Sequence, residues 1–318
     1  MPGDGFHQVR GVEHSNFDRV RTDVVEETVD TFSGAGNLDK VIFPNRGITQ
    51  GDLIHYYRRM AETMLPYMEG RPLTMQRFPD GIQNEGYYQR KASDYFPDWI
   101  TRVSVMVEED GSEHPQVICD SEATLVYLVD QGLITPHIWL SRADKLDYPD
   151  KLIFDLDPPG DDFEPVRMAA QSLHELLDEL GLAAFVMTTG SRGAHVVAPL
   201  DRSADFDAVR GFAKDVAKML AHRHPDRLTV EARKNKREGR LFLDYLRNSY
   251  GQNSVAPYAV RAKPDAPVAT PIGWGELSDP DLHSQSYTLE NIFRRLGQKE
   301  DPWKGMMRHA RSLSGPQG

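Results

Sequence analysis

The sequence predicts a mixed α/β or α+β protein, because strand-like and amphipathic helical segments alternate from residue 38 onward. Two observations carry this. Runs such as "KLIFDLD", "AAFVMTT" and "AHVVAPL" have the β-branched and aromatic content of strands. Between them, Pro165–Gly181 and Phe206–Arg223 place apolar residues at helical spacing. At 318 residues the chain can bury a sizeable core, as one α/β unit or two joined lobes.

Residues 1–36 read as an N-terminal extension ending in "SGAG", with strand character at 23–32. After "LDKVIFP", Thr49 is placed to cap a helix running to about Gly70. Leu53, Tyr56, Tyr57, Met60, Met64 and Leu65 form its apolar stripe. "RPLTMQRFPDG" predicts a strand and turn, and "DGIQNEGYYQRKASDYFPDW" a surface loop. "SEATLVYLVDQG" predicts a helix stopped by Gly132, and "PHIWLS" a short strand. After "KLIFDLD" comes the helix ending at Gly181, then two strands joined by the turn "GSRG". Phe206–Arg223 is a helix, "RLFLDYL" a strand and "YTLENIFRRLG" a last helix. The expected division is 37–135 for an N-terminal α/β unit, 136–300 for a catalytic unit and 301–318 for a tail.

Composition excludes several classes. Hydrophobic content of 39% and charge of 27% are those of a globular chain, and a single cysteine rules out an internal disulfide framework. The N-terminus lacks a signal-peptide core and no apolar run is long enough to span a membrane, so a cytoplasmic protein is expected. A formal charge of −11 argues against a uniformly basic surface. The basic residues cluster instead in "RKNKREGR", with Arg233, Lys234, Lys236 and Arg237, which suits a partner gripped locally.

Strand alternation puts Asp155 and Asp157 on one face and Phe154 and Leu156 on the other. Their backbones are then about 7 Å apart, and at an effective dielectric near 20 they repel by about 2 kcal/mol. A divalent cation would offset that cost; a solvated strand end is the bland alternative. The DxD nucleophile of haloacid dehalogenases is a third reading, but Pro158-Pro159 stands where that motif wants glycine and a small residue. In "RLFLDYL", Asp244 lies between Phe242 and Leu246 on one strand face. Three carboxylates, all oxygen donors, suit Mg²⁺ or Mn²⁺.

"TTGSRGAHV" brackets Ser191 and Arg192 with glycines, so that backbone amides and a guanidinium can approach an anion, and His195 opens the next strand. As a lone motif it is equally a tight turn with a surface arginine. Arg247 and Arg261 follow Asp244 and supply the positive charge a triphosphate needs, while "HIWLSR" brings His137 shortly before the acids.

Together, "HIWLSR…PDKLIFDLDPP", "TTGSRGAHVVAPL" and "LFLDYLRNSYGQNSVAPYAVRAKPDAPVATPIGWGEL" resemble the polymerase domain of bacterial DNA ligase D, in the archaeo-eukaryotic primase superfamily. The likeness runs from about Leu38 to about Leu296 in order and spacing, with no ligase or nuclease module, so a stand-alone version is expected. It implies a primase-polymerase fold: an RRM-like catalytic sheet packed with an N-terminal α/β unit. It implies template-directed nucleotidyl transfer on gapped or primer-template DNA in repair, with Mn²⁺ favoured over Mg²⁺ and ready use of NTPs beside dNTPs. Asp155, Asp157 and Asp244 would hold metal. Thr189, Ser191, Arg192, His195, Arg247 and Arg261 would meet the triphosphate, and His137 the nucleotide sugar. Lys40, Tyr87, Tyr88 and the basic loop would meet DNA, one tyrosine stacking on a template base. A separate DNA ligase and a DNA-end-binding protein become expected partners at the bacterial nucleoid.

Gln50 departs from the family pattern: it stands where a lysine helps bind the downstream 5′ phosphate. A non-catalytic DNA-end or gap-binding module is the alternative function, served by the basic loop and the tyrosines.

Overall fold

The computed structural model describes residues 37–107 and 111–313. The extension at 1–36, and with it the strand expected at 23–32, lies outside the described residues.

Short strands β1 (Val41–Phe43) and β2 (Ile48–Thr49) lead into helix α1 (Gln50–Met68). Its start is a full capping box: Thr49 Oγ1 accepts from Asp52 N, and Asp52 Oδ2 accepts from Thr49 N at 2.8 Å. Strands β3 (Leu73–Arg77) and β4 (Tyr87–Gln89) follow, then the hairpin β5 (Arg102–Val107) and β6 (Ser112–Val117), helix α2 (Glu122–Asp130) and β7 (Leu133–Trp139). The second half supplies β8 (Lys151–Asp157), α3 (Glu164–Glu179), β9 (Phe185–Thr188), β10 (Ala194–Pro199) and α4 (Phe206–Arg223). It closes with β11 (Leu228–Thr229), β12 (Leu241–Asp244), β13 (Asn253–Val255), β14 (Thr270–Ile272) and α5 (Ile292–Leu296).

Two sheets organise the molecule. The larger has the order β11-β12-β8-β10-β9-β14, antiparallel except for the parallel pair β11 and β12. The smaller has the order β13-β7-β3-β4. The pattern of β8 explains its central place. Leu152, Phe154 and Leu156 are buried against Leu173 and Leu176 of α3 and Val216 and Leu220 of α4. Ile153 faces the opposite way, into the core shared with α1, α2 and the smaller sheet. A strand apolar on both faces belongs inside. Because Asp155 and Asp157 continue the Ile153 face, the alternation aims them at the gap between the two sheets.

The structure differs from the sequence reading in several places. Within the stretch expected to be a surface loop, Tyr87–Gln89 forms β4 by pairing with β3. The β5–β6 hairpin had no expected counterpart. β7 begins at Leu133, so it crosses the expected unit boundary at 135/136, and β13 joins the smaller sheet although it lies in the second half of the chain. The last helix is only Ile292–Leu296. The "RLFLDYL" strand stops at Asp244, and a 3-10 turn, Leu246–Asn248, replaces its end, so Asp244 is terminal and not mid-strand.

That early stop has a local cause. β12 pairs with β8 only as far as Asp244 opposite Asp155. At the next rung the buried Asn248 amide takes the strand's place: Ile153 N donates to Asn248 Oδ1 at 2.9 Å and Asn248 Nδ2 donates to Ile153 O at 2.7 Å. Asn248→Ala leaves both backbone groups buried without partners, at about 1–3 kcal/mol each. The expected loss is about 2–6 kcal/mol, read as a lower urea midpoint at unchanged m-value; an unchanged midpoint would contradict this role for Asn248.

Candidate active site

Residues directly opposite on antiparallel neighbours share a face. Asp244 of β12 and His195 of β10 both pair with Asp155 of β8, so Asp244, Asp155 and His195 form one row across three strands. Asp157 lies two residues further along β8, opposite Phe242. The row opens on a cleft of about 260 Å³ between the sheets, whose far wall carries His137 of β7 and Asn253 and Ser254 of β13.

Guanidinium groups answer the acids. Arg237 Nη1 lies 2.7 Å from Asp157 Oδ2, and Arg192 Nη2 lies 3.1 Å from Asp157 Oδ1. Arg247 Nε sits between the other two, 3.4 Å from Asp155 Oδ2 and 3.6 Å from Asp244 Oδ2. Burial pushes the Asp155 carboxyl above its ordinary pKa, with Arg247 opposing and Asp157 adding to the rise. Burial also raises Asp244, and the charge of Asp155 raises it further. Both shifts mark carboxylates whose charge is disfavoured by burial, a cost that a bound cation would offset.

The two histidines behave differently. His195 Nε2 lies 3.6 Å from Asp155 Oδ1, yet burial, then Arg247 and Arg261, push its pKa down to about 3. The same causes hold His137 well below the ordinary value. Both rings are therefore neutral at pH 7, each with one donor and one acceptor nitrogen. Among the described residues, Nδ1 of His195 and Nε2 of His137 have no hydrogen-bond partner.

The "TTGSRG" turn is built by close approach. Gly190 adopts φ +64°, and Arg261 packs on it, donating from Nη1 to Thr189 O at 3.0 Å. A Cβ on Gly193 would lie 1.9 Å from Leu156 O, so only glycine lets the turn sit on β8. Thr189 is buried and its hydroxyl reaches Gly193 O at 3.1 Å, so it braces the turn. Ser284 Oγ donates to the same carbonyl at 2.7 Å, and Gln285 Nε2 to Ser191 O at 2.6 Å. No motif marks Ser284 or Gln285, and the sequence reading missed both.

The cleft thus brings together His137, Asp155, Asp157, Thr189, Ser191, Arg192, His195, Asp244, Arg247 and Arg261 from five separate segments. The residues expected on DNA are more dispersed. Arg237 turns inward to Asp157, 8% exposed, with its guanidinium 4.3 Å from the Phe242 ring centre. Arg233, Lys234 and Lys236 remain exposed. Tyr87 and Tyr88 are exposed on β4, with Tyr88 edge-on to His137 at 5.6 Å. Lys40 is paired with Asp80 at 2.9 Å and with the Pro79 carbonyl.

An all-oxygen carboxylate set, two of whose members, Asp155 and Asp244, are raised by burial and by neighbouring carboxylates, fits a hard divalent cation. The set is not closed, however. Among the described residues no three His, Cys, Asp or Glu side chains converge tightly enough to hold an ion, and arginines occupy the carboxylates' open side.

Comparisons with known proteins bear on the family and the fold. Residues 49–303 match the family model described as LigD, primase-polymerase domain. The chain is 32% identical over 275 residues to the multifunctional non-homologous end joining DNA repair protein LigD of Mycobacterium tuberculosis H37Rv, covering 83% of this chain and 36% of that one. It is 33% identical over 267 residues to the multifunctional non-homologous end joining protein LigD of Pseudomonas aeruginosa PAO1, covering 83% and 31%. The chain therefore spans only about a third of these relatives' length. The polymerase domain of Mycobacterium tuberculosis ligase D, solved in complex with DNA, superposes with a TM-score of 0.80 at 30% identity, covering 86% of this chain and 97% of that one.

Gly193→Ala tests the close approach. The added carbon must push the turn off the Leu156 carbonyl, at an expected cost of about 1–3 kcal/mol. Urea unfolding measures this; a variant as stable as the parent would show that the turn does not need the contact.

Proposed function

The chain belongs to the LigD primase-polymerase domain family, and from that premise we propose that it is a metal-dependent, template-directed nucleotidyltransferase. Its work would be to extend primers or fill short gaps during DNA repair, with ready use of ribonucleotides. The observation that carries this reading is the row of Asp244, Asp155 and His195 facing a cleft with four arginines. The acids of this row, with Asp157, suit a divalent cation, and the arginines suit a triphosphate.

In this reading Asp155, Asp157 and Asp244 would hold Mn²⁺ or Mg²⁺. Such a cation would ease deprotonation of the attacking 3′ hydroxyl and neutralise the leaving pyrophosphate. The protein's own groups account for the rest. Arg192 and Arg261 offer guanidinium forks to the phosphates, flanking the Ser191 turn. Neutral His195 can donate one hydrogen bond to a phosphate oxygen, and neutral His137 one to the sugar. Arg247, now lying on Asp155 and Asp244, would exchange those carboxylates for phosphate when substrate and cation enter. Tyr87 or Tyr88 would stack on a template base, contributing about 1–3 kcal/mol. The exposed Arg233, Lys234 and Lys236, with Lys40, would meet the DNA backbone.

We place the protein in the bacterial cytoplasm, on gapped or primer-template DNA. A separate ligase and a DNA-end-binding protein would act beside it. Among the described residues no helix is long and apolar enough to cross a membrane.

The purified chain should incorporate labelled NTPs and dNTPs on a gapped duplex with Mn²⁺. Asp155→Ala should lower the rate by at least about a thousandfold, on the order of 4 kcal/mol. Absence of incorporation with either metal would overturn the enzymatic reading. An Asp155→Ala protein that kept full repair function in cells would favour a non-catalytic gap-binding module instead.

Gln50 gives a second test. It is buried, and its Nε2 donates to the Val129 carbonyl at 2.6 Å, so it is committed to the core and is not presented to a phosphate. A downstream 5′ phosphate should therefore improve gap binding by less than about tenfold, or about 1.4 kcal/mol. Fluorescence anisotropy on gaps with and without that phosphate decides the point, and a larger gain would contradict it.

A further inference from the structure

A second cavity, of about 550 Å³, opens between the C-terminal part of α1 and the segment after α5, and it shares no lining residue with the carboxylate cleft. Its most buried polar lining residues are Arg71 and Lys151, with Arg142 beside them. Tyr67, Trp303 and Met306 form apolar walls. Asp150 Oδ2 lies 2.6 Å from Arg71 Nη2 and 2.9 Å from Arg142 Nε, and the exposed Glu69 Oε2 lies 3.6 Å from Arg142 Nη1.

Lys151 is left over. Its side chain is 7% exposed, it lines the cavity, and its ammonium makes no hydrogen bond or ion pair with any described residue. Burial, and then the neighbouring Arg71, hold its pKa well below the ordinary lysine value. Arg142 Nη2 is likewise without a bond to any described residue, its Nε and Nη1 being used on Asp150 and the Glu69 carbonyl. Among the acids at the mouth, Lys304 holds Glu300 at 2.8 Å and Tyr67 donates to Asp301, while Glu62 lines the exposed rim. Asp150 acts on Lys151 but is already bound to two guanidiniums, so the cost of burying the lysine's charge is only partly offset, and an anion in the cavity would complete the offset.

The volume is that of a small-molecule site, which commonly runs about 300–1,000 Å³. We propose that this cavity binds an organic phosphate monoester of nucleotide size, its phosphate on Lys151 and Arg142 and its organic body against Tyr67 and Trp303. Lys151 stands on the same face of β8 as Asp155, four residues away, which is about 13 Å along a strand. The site is therefore separate from the carboxylate cleft, and its occupancy does not depend on the polymerase reading.

The test is calorimetric titration of the whole chain, in EDTA, with AMP, ribose 5-phosphate and inorganic phosphate. Three variants accompany the parent: Lys151→Met, which keeps volume and removes charge; Thr63→Trp, which fills the partly exposed mouth without touching the buried charges; and Arg261→Ala in the other cleft. AMP should bind the parent and Arg261→Ala alike, and at least tenfold more weakly to Lys151→Met and Thr63→Trp. If Lys151→Met does not fold, Thr63→Trp carries the same comparison. Failure of both organic phosphates to bind the parent overturns the proposal. So does binding retained in a folded cavity variant, or lost in Arg261→Ala. Inorganic phosphate binding as tightly as AMP also overturns it, because the aromatic walls would then contribute nothing.

Discussion

Like charges on one face of a sheet repel, and the cleft is arranged around that repulsion. Antiparallel pairing brings Asp244 directly opposite Asp155, where side chains on neighbouring strands are about 5 Å apart. At an effective dielectric near 20 that pair alone costs about 3 kcal/mol. Arg247 bridges the pair, while Arg192 and Arg237 clamp Asp157 from two different loops. These guanidiniums oppose the cost of ending a strand buried on both faces in carboxylates.

The same arrangement accounts for the histidines. Arginines near Asp155 stabilise the carboxylate but disfavour a second positive charge, so burial and the guanidiniums keep His195 and His137 neutral. Acid, cation and neutral ring occur in one cleft because each sets the charge state of the next. At the other end of β8 the second cavity gathers Arg71, Arg142 and Lys151 around Asp150. The strand itself thus carries two acids at one end and a lysine at the other.

Much of this was legible before any coordinates. Period-2 alternation placed Asp155 and Asp157 together, and the Thr49 cap, the helices and the turn glycines lay where local chemistry put them. What failed was set by distant partners. Tyr87–Gln89 has no strong strand signal and becomes β4 only because β3 offers it an edge. "RLFLDYL" reads as one strand, yet stops where the Asn248 amide satisfies β8 in its place. Arg237 sits in a run that reads as a solvated basic loop, and only the fold turns it onto Asp157.

The sequence by itself determined the chemistry available: three carboxylates, a glycine-bracketed turn, arginines spaced along later strands, and the family these motifs resemble. Those are properties of residue type and short-range spacing, and alternation or capping reads them directly. The tertiary structure alone decided which of these groups meet. It paired Asp244 with Asp155, set Ser284 and Gln285 behind the turn, buried Gln50 on Val129 and buried Lys151 beside a second cavity. The physical reason is that strand order and register, which bring together residues up to about a hundred positions apart in sequence, are set by burial across the whole core.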